Sequence, residues 1–232
     1  DYFKIKILIN DIVQYCSPGQ FFMFNIPGNF LRRPFSIHDV NLTESSISFL
    51  YKIVGKGTKA LSQMKPGTTI QLLGPLGNGY KLNNIKKKYK NYHKIIIAGG
   101  SGIASMYFLA AKLNSIGTLY YGVYSKKDLI CLDQFNQIKW KIVVASEDGT
   151  IGHQGSIVNV VENVLKKNDI IFACGPYQML KTLQDILYKK HIHGFLSLES
   201  IMACGTGICQ GCTTIIHNTP QKICTDGPIF EI

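Results

Sequence analysis

The sequence predicts an α+β multidomain protein with three parts: an N-terminal antiparallel β-barrel, an α/β domain built on a doubly wound parallel sheet, and a small C-terminal domain rich in cysteine. Three observations predict it. Short apolar runs alternate with turns up to about residue 90, strand-like and helix-like stretches alternate from there to about residue 193, and four of the seven cysteines stand at position 204 or beyond. The expected boundaries are 1–91, 92–193 and 194–232.

In the first part, Lys4 to Ile9 alternates polar and apolar residues, while Phe21 to Ile26, Ser46 to Val54 and Thr69 to Leu73 are rich in β-branched and aromatic types. Ser17-Pro18-Gly19, Pro27-Gly28-Asn29, Lys65-Pro66-Gly67 and Gly74-Pro75-Leu76-Gly77 punctuate them as turns. Regularly spaced short strands without helical periodicity point to a small barrel. Two stretches in it suit a cofactor: Arg33-Pro34-Phe35-Ser36, leading into a strand, and the turn Gly55-Lys56-Gly57-Thr58. The arginine fork matches a pyrophosphate, the serine hydroxyl can bond a flavin edge, and the Gly-Thr turn can hold phosphate oxygens. Both patterns are also common in proteins that carry no cofactor.

The second part changes period. Lys94-Ile95-Ile96-Ile97-Ala98 reads as a buried parallel strand that ends in Gly99-Gly100-Ser101-Gly102 before a helix through Leu113. Strands follow at Leu119 to Tyr124 and Ile142 to Ala145, then a helix from an N-cap at Ser156 to Lys167, then the strand Ile170 to Cys174, the turn Gly175-Pro176 and another helix. In such sheets ligands bind at the carboxyl ends of the strands, where both glycine turns fall. The first turn departs from the dinucleotide fingerprint G-x-G-x-x-G, since Ser105 stands at its last position. The alternative is tight strand-to-helix packing. Ser125-Lys126-Lys127-Asp128, after the second strand, offers bases for a 2′-phosphate and an acid for a ribose hydroxyl, leaving NAD and NADP both open.

Cys204, Cys209 and Cys212 are spaced C-x4-C-x2-C, and Cys224 follows after eleven further residues. This is the plant-type ligand spacing of a [2Fe-2S] cluster. Gly205, Gly207 and Gly211 can take positive φ and let backbone N–H groups approach the cluster sulfurs. A zinc site favours paired C-x2-C knuckles, and only Cys209 and Cys212 form one. An odd total of cysteines, with Cys16, Cys131 and Cys174 scattered, argues against a disulfide framework.

The net charge of +11 raises nucleic-acid binding as a competing class. The excess lies in residues 1–194, because Phe195 onward holds Glu199, Asp226 and Glu231 against Lys222 alone. The densest basic run, Lys86-Lys87-Lys88-Tyr89-Lys90, reads as a solvated linker, and the sequence shows no C2H2, RNP or helix-turn-helix signature. The uncharged, strongly apolar run Ile95 to Ala111 is broken by its central glycines, so no membrane span is expected. The given N-terminus shows no secretory leader pattern, which predicts a cytoplasmic protein; as it does not begin with methionine, a few preceding residues are expected.

Arg33-Pro34-Phe35-Ser36, Gly57-Thr58, Gly99-Gly100-Ser101-Gly102-Ile103, Cys174-Gly175-Pro176-Tyr177-Gln178-Met179-Leu180 and the four terminal cysteines, in that order, resemble the ferredoxin reductase superfamily. More closely, Leu198-Glu199-Ser200-Ile201-Met202-Ala203-Cys204-Gly205 and Cys224-Thr225-Asp226-Gly227-Pro228-Ile229-Phe230 resemble the electron-transfer subunits of two-subunit, NAD-dependent dihydroorotate dehydrogenases. The resemblance implies FAD between the barrel and the nucleotide domain. Arg33 would meet its pyrophosphate, Ser36 its ring, and Pro34, Phe35, Leu50, Tyr51 and Lys52 would line it, with Gly57 and Thr58 at phosphate. Gly100, Gly102, Cys174, Gly175 and Pro176 would border NAD, and Cys204, Cys209, Cys212 and Cys224 would ligate the cluster. Electrons from dihydroorotate, oxidised at FMN in a separate catalytic subunit, would pass through the cluster and FAD to NAD+ in de novo pyrimidine (UMP) biosynthesis, in a heterotetramer of two of each subunit. No catalytic acid or base is implied. Phe35 stands where many reductases have tyrosine, and Ser105 where proline often follows the nucleotide loop. Three readings compete: the flavin subunit of an NAD(P)H:ferredoxin or sulfide oxidoreductase, in which the first ligand resembles an aspartate rather than Cys204; a free-standing reductase for a soluble acceptor; and a zinc-stapled basic binding module.

Overall fold

Antiparallel strands dominate the first part of the chain. The computed structural model describes residues 2–232, and the chain groups into two units, one of residues 1–79 with 199–228 and one of residues 80–198 with 229–232. In the first unit β1 (Tyr2–Leu8), β2 (Phe21–Asn25), β3 (Arg33–Ser36), β4 (Asp39–Asn41), β5 (Ser46–Lys52) and β6 (Gln71–Leu76) form two three-stranded antiparallel sheets, β1-β5-β4 and β3-β2-β6, with helix α1 (Lys56–Ser62) between β5 and β6. The chain crosses between sheets at Ile37 and His38, whose amides donate to Gln20 O and Ser48 O respectively. Side chains close the space between the sheets. Phe24 meets Phe49 and Phe35 edge-on at centroid distances of 4.8 and 4.7 Å, and Phe22 meets Phe49 at 5.7 Å.

The second unit carries helix α2 (Leu82–Lys88) and then β7 (His93–Gly99), α3 (Ile103–Leu113), β8 (Gly117–Val123), α4 (Leu132–Gln137), β9 (Lys141–Ser146), β10 (His153–Gln154), α5 (Ile157–Glu162), β11 (Asp169–Cys174), α6 (Tyr177–Lys190) and β12 (Gly194–Ser197). The chain then returns to the first unit for the hairpin β13 (Thr213–Ile216) and β14 (Thr219–Lys222), and ends in the second unit as β15 (Ile229–Glu231). The seven-stranded sheet runs β10-β9-β8-β7-β11-β12-β15, parallel except for β15, which pairs antiparallel with β12. From β7 the order proceeds one way through β8 and β9 and the other way through β11 and β12. The topological switch point therefore lies between β7 and β11.

The alternation of strands and helices and the buried runs follow the sequence pattern, with four departures. Gly74, Pro75 and Leu76 continue β6 to its pairing with Phe21 rather than forming a turn. Lys86 to Lys90 is largely helical rather than a solvated linker: Ile85 and Tyr89, four residues apart, turn one face inward while the lysines face water. Gly55-Lys56-Gly57-Thr58 opens α1 rather than forming only a turn. The helix capped at Ser156 ends at Glu162, not Lys167, because Asp169 accepts from the Lys166 amide at 2.6 Å and draws the chain into β11. The cap itself is as expected, with Ser156 Oγ accepting from Val158 N.

Phe172, fully buried in β11, stacks on Phe195 with centroids 5.6 Å apart and meets Tyr80 edge-on. Phe172→Ala should lower the unfolding free energy by about 3–5 kcal/mol, measured by urea unfolding followed by circular dichroism. A loss well under 1 kcal/mol would contradict this packing.

Candidate functional site

The cysteine loop rests on the first unit's strands. Gly205 has φ +73°, and a methyl there would lie 2.7 Å from Met23 Cγ and 3.0 Å from Leu76 Cδ1, so the loop backbone lies directly on β2 and β6. The hairpin supplies the fourth thiol. Cys212 stands just before β13 and Cys224 just after β14; Ile223 N donates to Cys212 O at 3.2 Å, continuing the ladder and setting the two cysteines side by side. His217 and Asn218, both at positive φ, make its two-residue turn. Asn78 anchors the return: its Nδ2 donates to Thr225 O at 2.8 Å and to Asp226 O at 3.2 Å, and its amide donates to Gly227 O at 2.7 Å.

Backbone amides are aimed at sulfur. Thr206 N and Cys209 N both donate to Cys204 Sγ at 3.4 Å, and Gly211 N donates to Cys209 Sγ at 3.4 Å. The amides of Cys209 and then Thr206 draw the Cys204 thiol down to about 6. Burial, followed by its contact with Cys212, pushes the Cys224 thiol up to about 11; a bound metal reverses that, because ligation takes the thiolate. Cys204 touches Cys209 and Cys212 touches Cys224. Four thiols set as two pairs fit a two-iron core that offers each iron two protein ligands, and the N–H···S bonds suit its anionic sulfur. Among the described residues, no group of three or more such side chains gathers as it would around one ion.

The barrel candidates lie within the same unit, with neighbours along β3 and β5 on alternate faces and Phe35 and Tyr51 turned into the core. Phe35 meets Tyr51 edge-on at 5.3 Å, which in turn stacks on Phe3, and burial raises the Tyr51 hydroxyl. Pro34 and Ser36 flank Phe35 on β3, Leu50 precedes Tyr51 on β5, and Lys52 lies over the Tyr2 ring. Arg33 packs on α1, since a methyl on Gly57 would meet Arg33 Nε at 3.3 Å. Its Nη1 donates to Leu31 O at 2.8 Å, which fixes the fork. Thr58 Oγ1 is engaged locally: it accepts from the amides of Val54 and Gly55 and donates to Gly55 O, capping α1. A cation, aromatic rings and a helix start with glycine on either side of Lys56 are features that suit a flavin dinucleotide.

In the second unit the two glycine turns meet at the switch point. A methyl on Gly102 would lie 2.4 Å from Cys174 O and 2.9 Å from Gly175 N, and one on Gly99 would lie 2.7 Å from Pro176 Cδ. Gly100, at φ +51°, has open space before it. Beside these turns opens a cavity of about 580 Å³ lined by Gly99, Gly100 and Pro176, with Gln178 from α6 and Tyr124 and Glu147 from the ends of β8 and β9. Gly102, Cys174 and Gly175 shape it from behind rather than lining it.

A family model described as the iron-sulfur cluster binding domain of dihydroorotate dehydrogenase B matches residues 199–232. The "Dihydroorotate dehydrogenase B (NAD(+)), electron transfer subunit" of Caldanaerobacter subterraneus subsp. tengcongensis is 38% identical over 92% of this chain and 84% of its own length, and that of Streptococcus mutans serotype c is 37% identical over 97% and 89%. The chain belongs to the family of dihydroorotate dehydrogenase B electron transfer subunits. Among solved structures, a NADH-dependent reduced ferredoxin-NADP oxidoreductase studied for electron bifurcation superposes with a TM-score of 0.87 at 30% identity, covering all of this chain and 83% of that one. In this member of the electron transfer subunit family, Asn78, Met23, Leu76 and Glu147 carry site geometry that sequence reasoning did not single out. Only Asn78 gave a signal, as a polar residue directly after Gly77 at the end of β6.

Gly102→Ala should lower the unfolding free energy by about 1–3 kcal/mol through overpacking against the Cys174–Gly175 turn. Thermal and urea unfolding would read the loss; a variant as stable as the parent would show that the two turns do not touch.

Proposed function

We propose that this chain is the electron-transfer subunit of a dihydroorotate dehydrogenase. It takes electrons from dihydroorotate oxidised at FMN in a separate catalytic subunit and delivers them to NAD+, within de novo pyrimidine (UMP) biosynthesis. The observation that carries the reading is the set of four cysteines, paired 204 with 209 and 212 with 224 and ringed by amides that donate to sulfur. When bound, the [2Fe-2S] cluster supplies one-electron transfer and FAD converts single electrons into the pair that NAD+ accepts.

The chain's own residues hold and shield these groups. Cys204, Cys209, Cys212 and Cys224 hold the cluster. Arg33 neutralises the FAD pyrophosphate, Phe35 and Tyr51 pack beside the flavin with Pro34, Ser36, Leu50 and Lys52, and Gly57 and Thr58 bring the start of α1 to phosphate. Gly100 and Gly102, with Cys174, Gly175 and Pro176, shape the NAD cavity. No side chain is assigned as acid or base, because transfer between flavin and nicotinamide requires none. The three-part division at 1–91, 92–193 and 194–232 describes the functional modules, and a heterotetramer of two of each subunit is the expected assembly. Among the described residues no helix is long and apolar enough to cross a membrane, and a cytoplasmic location, where thiols stay reduced, suits the reading.

Cys209→Ser, purified anaerobically, should lose the cluster's iron and its visible absorption while keeping flavin. Retention of iron and sulfide at the parent level would refute the ligand set. Arg33→Ala should weaken FAD binding roughly 10–100-fold, as loss of charge-assisted hydrogen bonds does, in a fluorescence titration of deflavinated protein. Unchanged affinity would remove Arg33 from the FAD site.

A further inference from the structure

The cavity beside the switch point is lined by fifteen residues, of which one is charged, and that one is an acid, Glu147. The place where dinucleotide-binding folds usually keep their ribose-reading acid, at the end of the second strand, holds Tyr124 instead. Glu147 stands beside it, one residue past the end of the third strand of this sheet. Its position is built in: Glu147 N donates to Val123 O and Asp148 N to Tyr124 O, both at 3.1 Å, so the β8–β9 ladder runs on into the loops. The two loops are cross-tied, because Thr150 Oγ1 accepts from Lys126 N at 2.9 Å and donates to Asp148 Oδ1 at 2.6 Å. Lys126 and Lys127, which the sequence offered to a 2′-phosphate, do not line the cavity, and Asp128, its candidate acid, accepts from Ser125 Oγ at 3.1 Å.

Resting on the reading of this cavity as the dinucleotide site, we infer that Glu147 is the residue that selects NAD over NADP. The pyrophosphate belongs at the other side of the cavity, against Gly99 and Gly100 and the start of the fourteen-residue α6, whose first turn carries no acid. That leaves the adenosine ribose at the ends of β8 and β9. There the carboxylate accepts from the 2′-hydroxyl of NAD, and it repels the 2′-phosphate of NADP with no basic lining residue to offset the repulsion.

The test is equilibrium binding of NAD+ and NADP+ to the full chain by calorimetry, at low and high salt, for the parent, Glu147→Gln and Glu147→Arg. The parent should bind NAD+ roughly 100-fold more tightly than NADP+, with the gap narrowing as salt rises, since a like-charge contact costs several kcal/mol and is screened. Glu147→Gln should weaken NAD+ binding a few-fold, as a neutral acceptor replaces a charged one, and raise that for NADP+ about 10-fold, and Glu147→Arg should favour NADP+. A parent that binds both equally, or a preference that neither substitution moves, overturns the role of Glu147 and leaves the dinucleotide site standing. If neither dinucleotide binds, the dinucleotide reading falls and Glu147's role falls with it.

Discussion

Direct contact between the cysteine loop and β2 and β6 is the constraint on which the redox site depends. Gly205 can approach Met23 and Leu76 only because it lacks a side chain and takes φ +73°. A loop held off by a methyl would lose the footing that aims three amides at Cys204 and Cys209. The hairpin then brings back Cys224 on a ladder that begins at Cys212, and Asn78 clamps the return. Each device converts a cost of ordering a polar loop into hydrogen bonds, which is how a short segment with little core of its own holds four thiols in place.

The nucleotide unit uses the same device for a different end. Gly99, Gly102 and Gly175 pack backbone against backbone at the carboxyl ends of β7 and β11, where the winding of the sheet reverses. The reversal opens a crevice, and the absence of side chains lets a ligand approach amides and a helix start. The last strand, β15, adds an antiparallel edge that seals β12. Glu231 is held there by Lys88 at 2.8 Å and by the Tyr89 hydroxyl at 3.0 Å, and Lys88 first, then Tyr89, keeps its carboxyl below the usual range. The stability this pair lends is therefore present above the ordinary carboxylate range and fades as pH falls through the lowered value; half-exposed partners keep it small.

Much of this was legible in the sequence because it rests on local chemistry. The C-x4-C-x2-C spacing, the Ile95 to Ala98 strand with its glycine turn, and Ser156 as a cap all state their roles within a few residues. What was not legible depends on distant partners. Nothing local marks Met23 or Leu76 as the bed of the cysteine loop. The β13–β14 hairpin was hidden by Pro220 within a strand and by a His-Asn turn in place of Asn-Gly. Helix α2 was masked by its lysines, since two buried residues make too narrow a stripe to read. Glu147 gains its place only when β9 lies beside β8.

The central claim is that one chain carries both a two-iron cluster and a flavin that exchange electrons. An anaerobic titration with NADH, followed by visible absorption and low-temperature electron paramagnetic resonance, with iron and acid-labile sulfide counted on the same sample, tests it most directly. The account predicts about two iron and two sulfide per chain, bleaching of a flavin band together with a red-brown shoulder, and a paramagnetic signal that grows as NADH is added. A flavin that NADH reduces with no iron signal, or a colourless zinc protein, would contradict it.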